Sequence, residues 1–350
     1  MTKMFKNRLL RSAYFLLAVV LLCSHDLYLK METYFLPPHH EATLSLYNGT
    51  FEKGENIITR DRMLDASFVA LGSRVPIDSS QWQDQDSTIT YLQFQTGAAG
   101  TYVAGVSTRA RNIILTAKKF NSYLKHDGVL DMLEQRTNDG LLDQDAVESY
   151  QKHVKAIYQV GETKTNDWQT VLGYPIEFVP EANPYERYSG EKLSVKLLLE
   201  GAPLPNQLVY ADYIGGPGGS KYVDYTHEHD GTRHSHRGAD HDHDAESEEE
   251  HSHTGGQQLR TNAEGVVTVD LPADGIYYLR TIHMETVSDT DELTHRSKWA
   301  TLTFEVTHKH GADTHTHDDH DHEEDIPIWI FVVGSLILVS LLFLIFRKNS

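Results

Sequence analysis

The chain has 350 residues, with 31 Lys+Arg against 50 Asp+Glu and a formal charge of −19. That length holds two domains with real cores, and that charge, without a basic stripe to meet phosphates, excludes a nucleic-acid binder. A total of 21 histidines beside a single cysteine is the anomaly.

Lys3, Lys6, Arg8 and Arg11 precede the apolar run 13–23, which reads as a secretory signal too short to span a membrane. Cleavage after Ser24 is expected, so 1–24 is the signal peptide and His25 opens the mature chain. Cys23 is then lost, and no disulfide or thiolate ligand remains. Segments 42–47, 68–71, 89–95, 101–108 and 112–116 alternate or are β-branched and aromatic, and predict strands. A helical segment is expected over 117–160. It comprises 117–126 and 129–136, broken by Gly128, and then 145–160, where Val147, Tyr150, Val154 and Ile157 fall on one stripe and Gly161 is a stop. Strand 175–179 is expected to return to the first sheet. The stretch 25–180 thus reads as a β-sandwich with a small helical insertion, closed by a Pro- and Asn-containing connector at 180–188.

Strands at 192–199, 207–213, 257–261, 266–271, 275–284 and 299–306 predict a second, smaller sandwich over 181–307, with a tight hairpin at 262–265. Residues 215–256 interrupt it. They open with Gly-Gly-Pro-Gly-Gly and hold almost no aliphatic side chains, so the segment reads as a flexible loop that cannot offset its ordering entropy. A similar polar linker covers 308–325. Residues 326–346 carry no charge and suffice, at ~1.5 Å per residue, to cross a ~30 Å hydrocarbon core. Trp329 is placed as an interfacial anchor, and Arg347 and Lys348 keep the tail 347–350 in the cytoplasm. The expected class is therefore mainly β: two tandem β-sandwiches and one C-terminal transmembrane helix. The expected location is the inner (plasma) membrane, single-pass, with a periplasmic or otherwise extracytoplasmic ectodomain.

The loop holds His227, His229, His234, His236, His241, His243, His251 and His253, and the linker holds His308, His310, His315, His317, His320 and His322. The repeated unit is His-x-His with Asp or Glu beside it. Neutral imidazole with carboxylate suits Ni, Co and Zn, with Cu favoured by affinity order. A generic acidic linker would use Glu, Lys and Ser, and would not pair histidine at fixed spacing. Each pair supplies two ligands, so a four-coordinate ion recruits two pairs. Such tracts read as collectors of exchangeable ions and lack the rigid ligand set of a catalytic centre.

Two histidines of the folded region are further candidates. His25, once it is the first residue, offers its amine and imidazole as a chelate, with Asp26 beside it; the alternative is a mobile terminus. His283 lies on the strand face of Tyr277, Leu279 and Thr281, with Met284 adjacent, as a partner for His25 or as a half-buried histidine satisfied by a hydrogen bond. His39, His40, His126, His153 and His295 read as isolated or surface-like and receive no role. No nucleophile elbow, phosphate loop or His-Glu-x-x-His is present, so no catalytic turnover is expected. Two rivals remain at this point: a copper-dependent oxidative enzyme built on an N-terminal histidine chelate, and a structural or adhesion module without metal.

His25-Asp26-Leu27-Tyr28, directly after the signal, resembles the His-Asp-x-aromatic start of the NikM-like periplasmic family. Further likenesses are FNSYL at 120–124, 175–180 with Asn183-Pro184-Tyr185, LLLEGAPL at 197–204, RTNAEG at 260–265, 275–284 ending in His283-Met284, and WATLTFE at 299–305. They follow in order over 25–307. The resemblance implies two β-sandwiches, the second transthyretin- or Ig-like, work in nickel or cobalt uptake beside a membrane transporter subunit, and His25 and His283 as the folded-region residues of interest. The histidine tracts and the C-terminal helix are not part of the family pattern.

Overall fold

A computed structural model describes residues 25–215, 255–288 and 292–309. The expected signal peptide, most of the two histidine tracts, and the expected span at 326–346 lie outside the described residues. Among the described residues no helix is long and apolar enough to cross a membrane. The chain divides into two compact units, Met1–His308 and Lys309–Ser350, and all described strands and helices belong to the first.

The fold is mainly β, as the alternation predicted, and its strands form three sheets. The first takes β1 (Asp26–Lys30), β3 (Glu41–Gly49), β8 (Ile89–Gln95) and β7 (Gln83–Gln85) in that order, with β4 (Gly54–Asn56) on β3. The second and largest runs β16 (Gln257–Arg260), β15 (Leu208–Gly215), β18 (Gly275–Thr286), β19 (His295–Val306), β11 (Ala146–Val160), β9 (Gly100–Thr108), β5 (Met63–Ala70) and β6 (Ser73–Pro76). Both β10 (Arg111–Leu115) and β2 (Phe35–Leu36) also pair with β11. The third joins β12 (Ile176–Pro180), β13 (Glu191–Leu199), β14 (Ala202–Pro203) and β17 (Val266–Leu271).

The seam of the large sheet is the parallel pair β11–β19, in register from Glu148↔His295 to Ala156↔Thr303. Alternation gives this pair two occupied faces. On one, Thr301 and Thr303 donate to the carbonyls of Leu27 and Leu29 at 2.7 and 2.6 Å, so β1 lies against that face. On the other, Lys155 reaches the Phe178 carbonyl at 2.9 Å, so β12 lies there.

Double coverage accounts for the main correction. Residues 145–160, expected as a helix, form the strand β11, whose side chains are buried without interruption from Lys152 to Val160. A strand covered on both faces carries apolar residues at nearly every position, and any such run also supplies a helical stripe. Among the described residues the α-helices are α1 (Ala117–His126) and α2 (Leu130–Asn138). Their Phe120, Tyr123, Leu124 and Met132 form a small core with Ile282 and Trp299 of the large sheet.

Two connections also differ from expectation. Strand β12 does not return to the first sheet. It pairs with β13, Pro180↔Val195, after a short turn whose Asn183 side chain caps Tyr185 N at 3.0 Å. The connector 180–188 therefore joins two paired strands, and the large sheet draws strands from both sides of it. The tight turn at 262–265 is present, with Gly265 at φ 73° and Asn262 Oδ1 accepting from Val266 N. It hands the chain from β16 in the large sheet to β17 in the third, rather than closing a hairpin.

Gly256 closes the interruption between β15 and β16. It lies at φ 77°, and a Cβ there would sit 2.4 Å from the Ala211 carbonyl. Gly256→Val is expected to cost at least ~1 kcal/mol, read as a lower urea midpoint at unchanged slope.

Candidate functional site

Among the described residues, buried charged side chains gather where β1 begins. His25 and Asp26 are buried there, with Asp127, Glu148, Lys152 and Arg280 around them. Four elements supply these groups: the start of β1, the end of α1, β11 and β18. Lys152, on β11, donates from Nζ to the His25 carbonyl and to Asn48 Oδ1 at 3.1 Å, and stands 4.9 Å above the Trp299 ring. Arg280, on β18, meets Asp26 Oδ2 at 3.4 Å and donates to the Asp127 carbonyl at 3.1 Å, with Tyr210 stacked beneath it. The Tyr28 hydroxyl donates to Asp26 Oδ2 at 3.0 Å. His126, at the end of α1, has Nδ1 2.9 Å from Asp127 Oδ1. Glu148 accepts from Tyr123 at 3.2 Å and from Ser297, which in turn accepts from Trp299 Nε1 at 3.0 Å. His25 Nε2 lies 3.2 Å from Glu55 Oε2 on β4.

Burial sets the electrostatics. It pushes Glu148 up to about 7, against the pull of the Ser297 and Tyr123 hydrogen bonds. It pushes Lys152 down to about 8, with Asp26 resisting. Both side chains are therefore poised near neutrality, a pattern concentrated at functional sites although structural ion networks produce it too. Among the described residues no three His, Cys, Asp or Glu side chains converge well enough to hold a metal ion.

The sequence-derived candidates separate. His25 sits in the buried cluster. His283 lies on the opposite face of the large sheet, because β18 sends Arg280 toward Asp26 and the odd-numbered side chains the other way. The two histidines therefore do not form a pair. His283 Nδ1 is 3.0 Å from Gln207 Oε1, and burial lowers its pKa, which keeps it neutral. His308 is exposed, with Nδ1 against Asp274 Oδ2. Candidates between His227 and His253 and between His310 and His322 lie outside the described residues. His153 and His295, expected at the surface, are buried at 1% and 2% exposure, and the Nε2 of each has no hydrogen-bond partner among the described residues.

Glu55, Lys152 and Arg280 escaped the sequence reading because the contacts that define them join distant segments. The one local signal was a charge inside an apolar run: Lys152 and Lys155 interrupt the most apolar part of β11, each on a different face.

A family profile described as a domain of unknown function, DUF4198, matches residues 22–285. No curated protein matches the chain. Among solved structures the chain resembles the Yersinia pseudotuberculosis adhesin InvE at 12% identity and TM-score 0.20, over 82% of this chain and 59% of that one. It thus spans well under two thirds of that adhesin. It also resembles the D0-D1 domain of Intimin at 9% identity and TM-score 0.17, over 80% and 97%. Likenesses this weak carry no functional argument.

Proposed function

The chain belongs to the DUF4198 family, whose description assigns no activity, and on that footing we propose that it captures divalent transition-metal ions outside the cytoplasm. In this reading it is exported, anchored by 326–346, and delivers Ni, Co or Zn to a membrane partner. The observation that carries it is the sequence's own: 14 of the 21 histidines fall in two stretches as His-x-His pairs among carboxylates. The likeness to NikM-like proteins supports nickel or cobalt as the cargo. His25 and His283 enter as separate folded-region candidates, not as one site.

The fold adds a supporting geometry. Gly215, where β15 ends at the first tract, pairs with Gly275, and Gly275 pairs with Val306, after which the second tract begins. Both tracts therefore start from one row across three adjacent strands, with roots ~10 Å apart at ~4.8 Å per strand. His308 and Asp274 mark the same end. Ions exchanged between tracts so rooted gain from a high effective concentration.

The test is equilibrium dialysis of the full chain with nickel and zinc, before and after deletion of 216–254. Most bound metal is expected to disappear while the circular dichroism of the β fold persists. Unchanged stoichiometry would refute the reading, and a wild-type chain that binds no metal would favour an adhesive or structural module.

A further inference from the structure

We propose that Lys152 and Asn48 join in an intramolecular amide bond, which the chain forms on itself with release of ammonia. The bond is independent of the metal-capture reading. It fastens the first sheet to the large one.

The two side chains meet between those sheets. Asn48 lies on β3, where it pairs with Leu27 on one side and Asn56 on the other. Lys152 lies on β11 in register with Trp299, and its backbone N–H donates to Thr108 Oγ1 at 2.9 Å. Both positions are therefore held by neighbours, and Lys152 Nζ reaches Asn48 Oδ1 at 3.1 Å. The lysine is buried, with the rings of Trp299 and Tyr150 centred 4.9 and 5.7 Å from its nitrogen. Groups held at contact distance on fixed strands react as if at concentrations far above any reached in solution. Among the described residues Asn48 Nδ2 donates no hydrogen bond, so nothing there retains the nitrogen that must leave.

The reaction balances without a co-reactant. Burial lowers the pKa of the amine, which raises its neutral, nucleophilic fraction. The neutral amine keeps one N–H for the His25 carbonyl that it already holds, and its lone pair attacks Asn48 Cγ. A new C–N bond forms, the bond from Cγ to Nδ2 breaks, and the proton lost by Lys152 departs on that nitrogen as part of ammonia. Asp26 and Glu148, whose charges both act on Lys152, are the buried carboxyls that relay it. The other buried lysine pair lacks this chemistry. Lys155 faces Glu177, a carboxylate that already accepts from three backbone N–H groups, and a carboxylate is a far weaker electrophile than a carboxamide. With one cysteine the chain can form no internal disulfide. An amide closes the same kind of loop and does not depend on the redox state outside.

The test is mass spectrometry of the full chain, purified folded, then unfolded in urea and digested with trypsin. Trypsin does not cut after an acylated lysine, so the expected product is one branched peptide, 31–53 joined to 137–155 and lighter than the two together by one ammonia and by the water of the new bond's missing cut. Fragmentation should place the link between Asn48 and Lys152. Asn48→Ala and Lys152→Arg should each return separate linear peptides. The wild-type digest decides even where a variant fails to fold. Separate peptides 31–53 and 137–152 from the wild-type chain, with the branched form at most a trace, overturn the proposal. So does an ammonia lost from 31–53 alone, the mark of an imide at Asn48-Gly49 in place of a cross-link, and so does a branched peptide that persists in Asn48→Ala.

Discussion

Replacing Lys155 with methionine is expected to destabilise the folded unit by about 3–5 kcal/mol, because it strands a buried carboxylate. Lys155 and Glu177 are 1% and 2% exposed as side chains, and their charged atoms lie 2.9 Å apart. Glu177 also accepts from the backbone of Leu172, Gly173 and Tyr174, at 2.9, 2.8 and 3.2 Å. Lys155 donates further to the carbonyls of Thr170 and Phe178. The pair thus staples the segment before β12 to the middle of the large sheet. Burial pushes the Lys155 amine down while Glu177 holds it up. Glu177→Gln should cost a similar amount, and the double variant less than the sum, since neither charge is then left alone. Urea titration of all three variants measures this. A Lys155→Met chain within ~1 kcal/mol of wild type would show that the staple contributes little.

Acid should act through two other buried groups. Burial pushes His153 and His295 down to about 4. His153 meets Ser107 at 2.9 Å, and His295 meets Thr294 at 2.7 Å with the Phe120 ring beside it. Above pH ~6.5 both are neutral, folded or unfolded. Between ~6.5 and ~4 only the unfolded chain takes up the proton, so stability falls with pH by about 2–3 kcal/mol per histidine at pH 4.5. Glu148 works in the other direction. Its carboxyl, held up at about 7, takes its proton first in the folded state and recovers stability as pH drops toward ~4.5. The informative quantity is therefore a difference between variants. His153→Gln should lose less stability than wild type between pH 7 and 4.5, by one histidine's share. Parallel loss in the two chains would rule this mechanism out.

Most strands were legible because alternation is local. Thr101–Thr108 and Gly275–Met284 announce themselves whatever they pair with. Strand β11 was not, since its apolar residues satisfy two periods at once and only the parallel neighbour β19 decides between them. The pairing of β12 with β13 was equally hidden, because it depends on a turn at Asn183 rather than on the strand itself. At the site, His25-Asp26 stood out by position and the tracts by composition. Lys152 and Arg280, which hold the His25-Asp26 start, come from segments more than a hundred positions away, joined by no motif, and the separation of His25 from His283 follows from which way β18 faces.

The parallel seam has a consequence for how this molecule acquires its shape. Lys155 and Thr303, on neighbouring strands, are 148 positions apart in the chain. As synthesis proceeds, β11 emerges with one long edge bare, and the strand that will cover it is the last of the described strands to appear. Such non-local closure is slow, and the waiting edge is apolar on both sides and prone to stick to other chains. The large sheet therefore cannot close until β19 is made, and the described unit cannot complete itself half by half.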